Sequence, residues 1–242
     1  MAGLTHRPVR MVFTSRAGGV SASPYASFNL ADHVGDNPEH VAQNRQRLAR
    51  TLELDPSQFI WMEQLHTNTV TEVDGPQSTP VEATDAVVTR QVGLALCVLV
   101  ADCVPVLLSD HAAGVIAAAH AGRLGARNGI VRKTVETMVA LGASPANIQV
   151  LMGPAAAGAS YELPEALAVD VEQHLPGSLA RTAMGTVGVD IRAGLVRQLF
   201  SMGVTHVDSD PRDTVTDAEF FSYRREGTTG RQAGVVWLTG VN

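Results

Sequence analysis

Apolar positions in this chain gather into short unbroken runs bounded by turn residues. The runs at 86–89, 94–101, 104–109 and 148–152 read as buried strands, because their length is that of strands and Gly, Pro or Asp punctuates their ends. Weaker strand patterns lie at 59–64, 69–73, 114–119, 205–208 and 234–238. Residues 9–16 read as an edge strand entering a turn at Gly18-Gly19. The run at 104–109 is placed to pair with 114–119 across the turn at 110–113.

Helical spacing appears four times. Asn37-Pro38 opens a helix to about residue 52, with Val41, Leu48 and Leu52 on one face and Pro at its first position. The segment 129–141 carries Ile130, Val131, Val135, Met138 and Val139, with Gly142 as its stop. Two further helices are expected at 165–174 and 190–202. Between the first strand and the first helix, residues 21–36 show neither period and are rich in Ser, Asn and Asp. A structured loop of that length usually carries function. With no linker, low-complexity run or short repeat, residues 1–242 are expected to form one α+β (mixed α/β) domain.

Composition narrows the function classes. Charged residues are only 17% of the chain and apolar ones 45%, which argues for a packed core and against disorder. A net charge of −6 argues against a nucleic-acid scaffold, which needs a basic face. The longest apolar stretch, 92–108, is broken by Asp102 and Pro105, too short for a membrane span. Residues 1–10 hold two Arg with no apolar run behind them, so no signal peptide is expected there. Cys97 and Cys103 would stand roughly 20 Å apart on an extended strand, too far for a disulfide. A reducing cytoplasm is the natural compartment.

Three potential metal ligands share one local context, at or just after a strand end beside small residues. They are His66 in Gln64-Leu65-His66, Cys103 in Ala101-Asp102-Cys103-Val104-Pro105, and His120 in Ala119-His120-Ala121-Gly122. Two imidazoles and a thiolate suit zinc, and three protein ligands leave a fourth position open for chemistry. Spacing alone leaves other readings standing. A cysteine after an apolar strand is ordinarily core, and Cys103 with His120 as its base also fits a cysteine hydrolase. Copper is a further candidate for such a ligand set. A full multicopper oxidase is excluded, because it needs about ten His in paired motifs, and the eight His here include no His-x-His pair.

Segments along nearly the whole chain resemble one known family. They are Arg16-Ala-Gly-Gly-Val-Ser21, Phe28-Asn29-Leu30, His33-Val34-Gly35-Asp36, the three ligand segments, Thr84-Asp85-Ala86-Val87-Val88-Thr89, and 221–227 with Thr229-Gly230-Arg231. Together they resemble the family once labelled multicopper polyphenol oxidase or laccase-domain proteins. Its members are now generally regarded as zinc-dependent purine nucleoside phosphorylases with adenosine deaminase activity. The resemblance implies one zinc per chain on His66, Cys103 and His120, and a layered sandwich of helices around two mixed β-sheets. It implies purine nucleosides (adenosine, inosine, guanosine, methylthioadenosine) and phosphate as substrates. Two departures stand out. The family's Trp-Arg-Gly after His-Ala-Gly reads Arg123-Leu124-Gly125 here, leaving Arg123 or Arg127 as the available guanidinium. The Cys residues that the family often carries before Tyr-Glu are absent ahead of Tyr161-Glu162, which removes any case for a second soft-metal centre.

The remaining site residues follow from the chemistry such an enzyme needs. Asp85 and Asp102 are the acids nearest the ligands in sequence. Asp85 is the candidate proton shuttle, with a strand-end cap as its alternative, and Asp102 the candidate partner of an imidazole. Arg224, Arg225 and Arg231 form the dense basic cluster of an acidic chain and match phosphate oxygens. Arg16 beside the Gly18-Gly19 turn and Asn29 are further candidates for the phosphate or substrate, and Tyr161 for stacking on a base.

Overall fold

The structure, a computed structural model, describes residues 9–240. The reading of residues 1–10 as no signal peptide therefore falls mostly outside the described residues. In chain order the elements are β1 (Val9–Phe13), α1 (Pro38–Leu52), β2 (Phe59–Ile60), β3 (Val70–Glu72), β4 (Ala86–Thr89), β5 (Ala95–Val100), β6 (Val104–Asp110) and β7 (Val115–Ala121). There follow α2 (Arg123–Arg127), α3 (Ile130–Ala140), β8 (Gln149–Met152), α4 (Glu165–His174), β9 (Leu179–Arg181), β10 (Val187–Val189), α5 (Ile191–Ser201), β11 (His206–Ser209), α6 (Tyr223–Glu226) and β12 (Gln232–Leu238).

Two mixed sheets stack face to face. One runs β1-β12-β5-β2 and the other β11-β8-β6-β7-β4-β3, while β9 and β10 form a separate hairpin. The unbroken apolar runs are explained by burial on both faces. Along β5, Ala95, Cys97 and Leu99 point to the side of α1, and Leu96, Val98 and Val100 point between the sheets. Along β7, Val115, Ala117, Ala119 and Ala121 pack against α3, α4 and α5, while Ile116 and Ala118 turn to the inter-sheet core. The result is four layers: α1 with its preceding loop, the four-stranded sheet, the six-stranded sheet, and the helices α3 to α5. The expected sandwich of helices around two mixed sheets is the one observed. No described helix is long and apolar enough to cross a membrane.

The break at Asp102 and Pro105 is where the chain leaves one sheet for the other. β5 belongs to the four-stranded sheet and β6 to the six-stranded one, so residues 101–103 cross between them at a shared end. Pro105 costs no hydrogen bond to β8, since that pairing begins at Val106. α1 starts as expected: the Asn37 side chain accepts from Glu39 N at 2.9 Å and Pro38 occupies the first turn. Its buried Asn44 organises the long irregular loop, accepting from Val20 N and donating to Ser21 Oγ, Ser27 O and Asn29 O at 2.9–3.1 Å.

The expected strand at 59–64 is cut to two residues, followed by an isolated bridge from Met62 to Val81. A side chain replaces the missing ladder: Gln64 Nε2 donates to Leu99 O and Leu99 N donates to Gln64 Oε1, both at 2.8 Å. Sequence periodicity gave no sign of α2, α6 or the β9–β10 hairpin, each too short to show a period.

Candidate metal centre and its cavity

His66, Cys103 and His120 converge at the shared end of the two sheets, their ligand atoms all within 4.8 Å of one another. Cys103 Sγ lies 3.8 Å from His66 Nε2, and the two imidazoles meet edge to face at 4.7 Å between centroids. Each comes from a different kind of segment. His120 sits on β7, Cys103 follows the crossover just before β6, and His66 occupies a loop beyond β2. Two residues here hold left-handed backbone without being glycine, His66 at φ 60° and Asp102 at φ 92°. Such strain costs of order 1–3 kcal/mol per residue and persists where the surroundings over-determine it. Gly122 gives the cluster room: a Cβ there would stand 2.6 Å from His66 Cδ2 and 3.0 Å from Cys103 Sγ.

A fully buried carboxylate holds the pair of histidines. Asp85 Oδ1 accepts from His120 Nδ1 at 2.8 Å and from His66 N at 3.0 Å, while Oδ2 accepts from Leu65 N, Thr67 N and Thr67 Oγ1. One side chain thus fixes the His120 tautomer, leaving Nε2 for the cluster, and shapes the loop that carries His66. The imidazole partner is Asp85, while Asp102 does something else. Its Oδ1 accepts from Thr214 Oγ1 at 2.7 Å and its Oδ2 from Arg224 N at 2.6 Å, tying the crossover to the segment that carries the arginines.

The electrostatics favour a metal-ready thiolate. Burial alone would raise the Cys103 thiol, but the His120 charge and hydrogen bonds from His120 and His66 outweigh it and bring it down to about 6. Burial would likewise lower His120, yet the Cys103 and Asp85 charges raise it to about 9. For Asp85, burial is outweighed by its bonds to His120 and Thr67, which hold it below the ordinary carboxylate value. At Cys97 burial outweighs the Arg45 charge and a backbone hydrogen bond at Ile60, and pushes the thiol far up.

The cluster opens into a cavity of about 580 Å³ whose wall includes His33, Gln64, Tyr161, Tyr223, Arg224 and Arg231. A family model described as multi-copper polyphenol oxidoreductase laccase matches residues 10–239 of this chain. The chain belongs to that laccase-like family. A purine nucleoside phosphorylase of Corynebacterium glutamicum is 67% identical over 235 residues, covering 96% of this chain and 96% of that protein. One of Mycobacterium tuberculosis is 51% identical over 230 residues, covering 95% and 92%. Among solved structures, YlmD from Geobacillus stearothermophilus matches with a TM-score of 0.90 at 29% identity, over 99% of this chain and 94% of that one. A hypothetical protein YfiH from Bacillus licheniformis matches at 0.89 and 28%, over 96% and 93%.

In this laccase-like chain the residues singled out from sequence divide into two groups. His66, Cys103, His120, Tyr161, Arg224 and Arg231 line the cavity. Arg16, Asn29 and Arg225 do not, because their polar atoms are engaged elsewhere. Arg225 donates to the carbonyls of Thr214, Val215, Asp217 and Phe220 and to Glu226. Arg16 donates to Ala26 O and to Glu226 Oε1, at 2.6 Å. Asn29 is buried, accepts from Arg231 N and donates to Asp36 Oδ2. Asp85 lies behind the cluster as its support. Of the two displaced arginines, Arg127 is paired with Asp170 at 2.7 Å, whereas Arg123 lines a small recess behind Cys103 together with Tyr161. His33, Gln64 and Tyr223 were not singled out, though each adjoins or lies in a quoted motif.

Proposed function

We propose that this cavity is the active site of a zinc-dependent purine nucleoside phosphorylase that also deaminates adenosine, with residues 1–242 acting as one catalytic domain. The observation that carries the reading is the convergence of two imidazoles and a low-pKa thiolate, with an open side facing a cavity that holds aromatic and cationic residues. The donor set fits zinc: His66, Cys103 and His120 are three ligands of the right softness, and the Asp85 carboxylate behind His120 is the usual support for such a ligand. When bound there, zinc supplies Lewis acidity at the position the three residues leave open.

The chain's own residues account for substrate binding. Arg224 stacks over Tyr161 at 5.0 Å and Arg231 over Tyr223 at 5.9 Å, so cations and aromatic surface alternate along the wall. Among the described residues neither arginine forms an ion pair with a carboxylate, unlike Arg16, Arg127 and Arg225. Burial lowers Arg231, and an arriving anion would offset that cost. These two guanidiniums hold phosphate beside the glycosidic carbon, while the tyrosines cover the base. In phosphorolysis the C1′–N9 bond breaks and a phosphate oxygen bonds C1′. In deamination water replaces the amine at C6. Adenosine, inosine, guanosine and methylthioadenosine all present the required purine and furanose. An acidic chain with a thiolate ligand belongs in a reducing cytoplasm, with small molecules as its partners and nucleic acid not among them.

The test incubates zinc-loaded protein with inosine and with adenosine, with and without phosphate, and separates the products. Phosphate-dependent hypoxanthine and ribose 1-phosphate from inosine, and phosphate-independent inosine from adenosine, are the expected results. The Cys103–His120 pair also favours a second reading, a cysteine hydrolase acting without metal. Full activity after zinc removal, abolished by thiol alkylation, would favour it.

A further inference from the structure

One imidazole lines the cavity outside the metal cluster, and we propose that it, His33, is the general acid that protonates the departing purine in phosphorolysis. This rests on the phosphorylase reading above. His33 belongs to the irregular loop, and that loop is pinned around the cavity wall. Leu30 N donates to Arg231 O, Arg231 N to Asn29 Oδ1, Asn29 Nδ2 to Asp36 Oδ2, and the Tyr25 hydroxyl to Val34 O. The buried Asn29 therefore joins the His33 loop to the Arg231 backbone, placing a proton donor and an anion-binding cation on one framework.

A carboxylate stands beside the partly exposed His33 ring. Asp32 Oδ1 lies 3.6 Å from His33 Nδ1, and Asp32 Oδ2 lies 3.3 Å from Arg45 Nη2, with Arg45 stacked on Trp61 at 4.2 Å. His33 and, against the cost of burial, Arg45 hold the Asp32 carboxyl at about 2, so an anion faces Nδ1 at neutral pH. Nε2 is then the ring nitrogen left for a ligand in the cavity. Other donors on the wall are spoken for. Both Asp102 oxygens accept hydrogen bonds, the cluster residues face the metal position, arginines do not release protons, and phenols are weak acids near neutrality.

The step balances simply. As the C1′–N9 bond breaks, its electron pair goes to the purine, and N7 takes the proton from the His33 imidazolium. A phosphate oxygen forms the new bond to C1′. The proton remaining on the phosphate ester returns to solvent or to His33, giving ribose 1-phosphate and neutral base.

A substrate that needs no acid isolates this role. In 7-methylguanosine a fixed positive charge on the imidazole ring already activates the leaving group. His33→Gln, in zinc-loaded full-length protein, is expected to slow guanosine phosphorolysis about a hundredfold or more, the usual scale of general acid catalysis. Its rate on 7-methylguanosine should stay within about threefold. Asp32→Asn, which only removes the neighbouring charge, should show the same substrate dependence with a smaller loss, a cross-check if the His33 variant folds poorly. Equal losses on both substrates, or no loss on guanosine, would overturn the assignment. Wild-type protein that cleaves neither nucleoside with phosphate and full zinc would overturn the phosphorylase reading, and this inference with it.

Discussion

Replacing Gly122 with alanine adds one methyl group and should dismantle the metal centre without unfolding the protein. Gly122 has φ −72° and ψ 169°, extended backbone that any residue adopts, so the substitution carries no conformational penalty. Its whole effect is steric. The new Cβ would stand 2.6 Å from His66 Cδ2 and 3.2 Å from His66 Nε2, where carbon atoms ordinarily sit about 3.5–4.0 Å apart. The imidazole must withdraw by about 1 Å, and zinc–ligand distances tolerate only about ±0.2 Å. His66 lies on an exposed loop, so it can move while the sheets stay intact. Zinc affinity should fall at least ten- to a hundredfold, the scale of a disturbed supporting residue. Competition against a chromophoric chelator measures the affinity, and urea unfolding of metal-free protein checks the fold. Affinity within twofold of wild type would contradict a metal site built on His66 and Cys103 around Gly122.

Asp85→Asn should be costly on both counts, because an amide cannot accept from all five donors that surround the carboxylate. About 3 kcal/mol of unfolding free energy and a ten- to hundredfold loss of zinc affinity are expected, and a stability change under 1 kcal/mol in urea would count against the hub role. Arg225→Ala should lower stability by about 2–3 kcal/mol through the carbonyls it frees. Arg231→Ala should instead raise the phosphate requirement of phosphorolysis about tenfold or more, and steady-state kinetics with thermal melts separate the two. In metal-stripped protein, Cys103 alkylation should climb as pH rises through about 6, since its thiolate persists down to that pH. A climb only near 9, the ordinary thiol value, would contradict the thiolate–imidazolium pair, and Cys97 should stay unreactive throughout.

Sequence made the layered core legible because strands buried on both faces cannot hide: runs such as 94–101 admit almost no polar residue. The ligand triad was legible chiefly through the family resemblance, because spacing alone left Cys103 open as core or nucleophile and His66 stands among the polar Gln64, Thr67 and Asn68. What sequence could not show was which polar residues spend their donors on the fold. Arg225 and Arg231 look alike in a basic cluster, yet Arg225 closes the backbone carbonyls of 214–220, whereas Arg231, with Nη1 donating to Thr229 O and Gly230 O, still lines the cavity. Asp85 and Asp102 were likewise indistinguishable by proximity. Only the pairing of β4 with β7, which puts Ala86 opposite Ala119, brings Asp85 to His120 from 35 residues away. His33 stood in a quoted motif but was given no role, because a loop without period gives no face to read.

The metal itself is the most direct test. X-ray absorption at the zinc edge, on protein as purified, should report one zinc per chain with a single sulfur at about 2.3 Å and two imidazole nitrogens at about 2.0–2.1 Å. The sulfur signal should vanish in Cys103→Ser. Copper in place of zinc, or a zinc site whose sulfur survives that substitution, would contradict a catalytic zinc held by His66, Cys103 and His120.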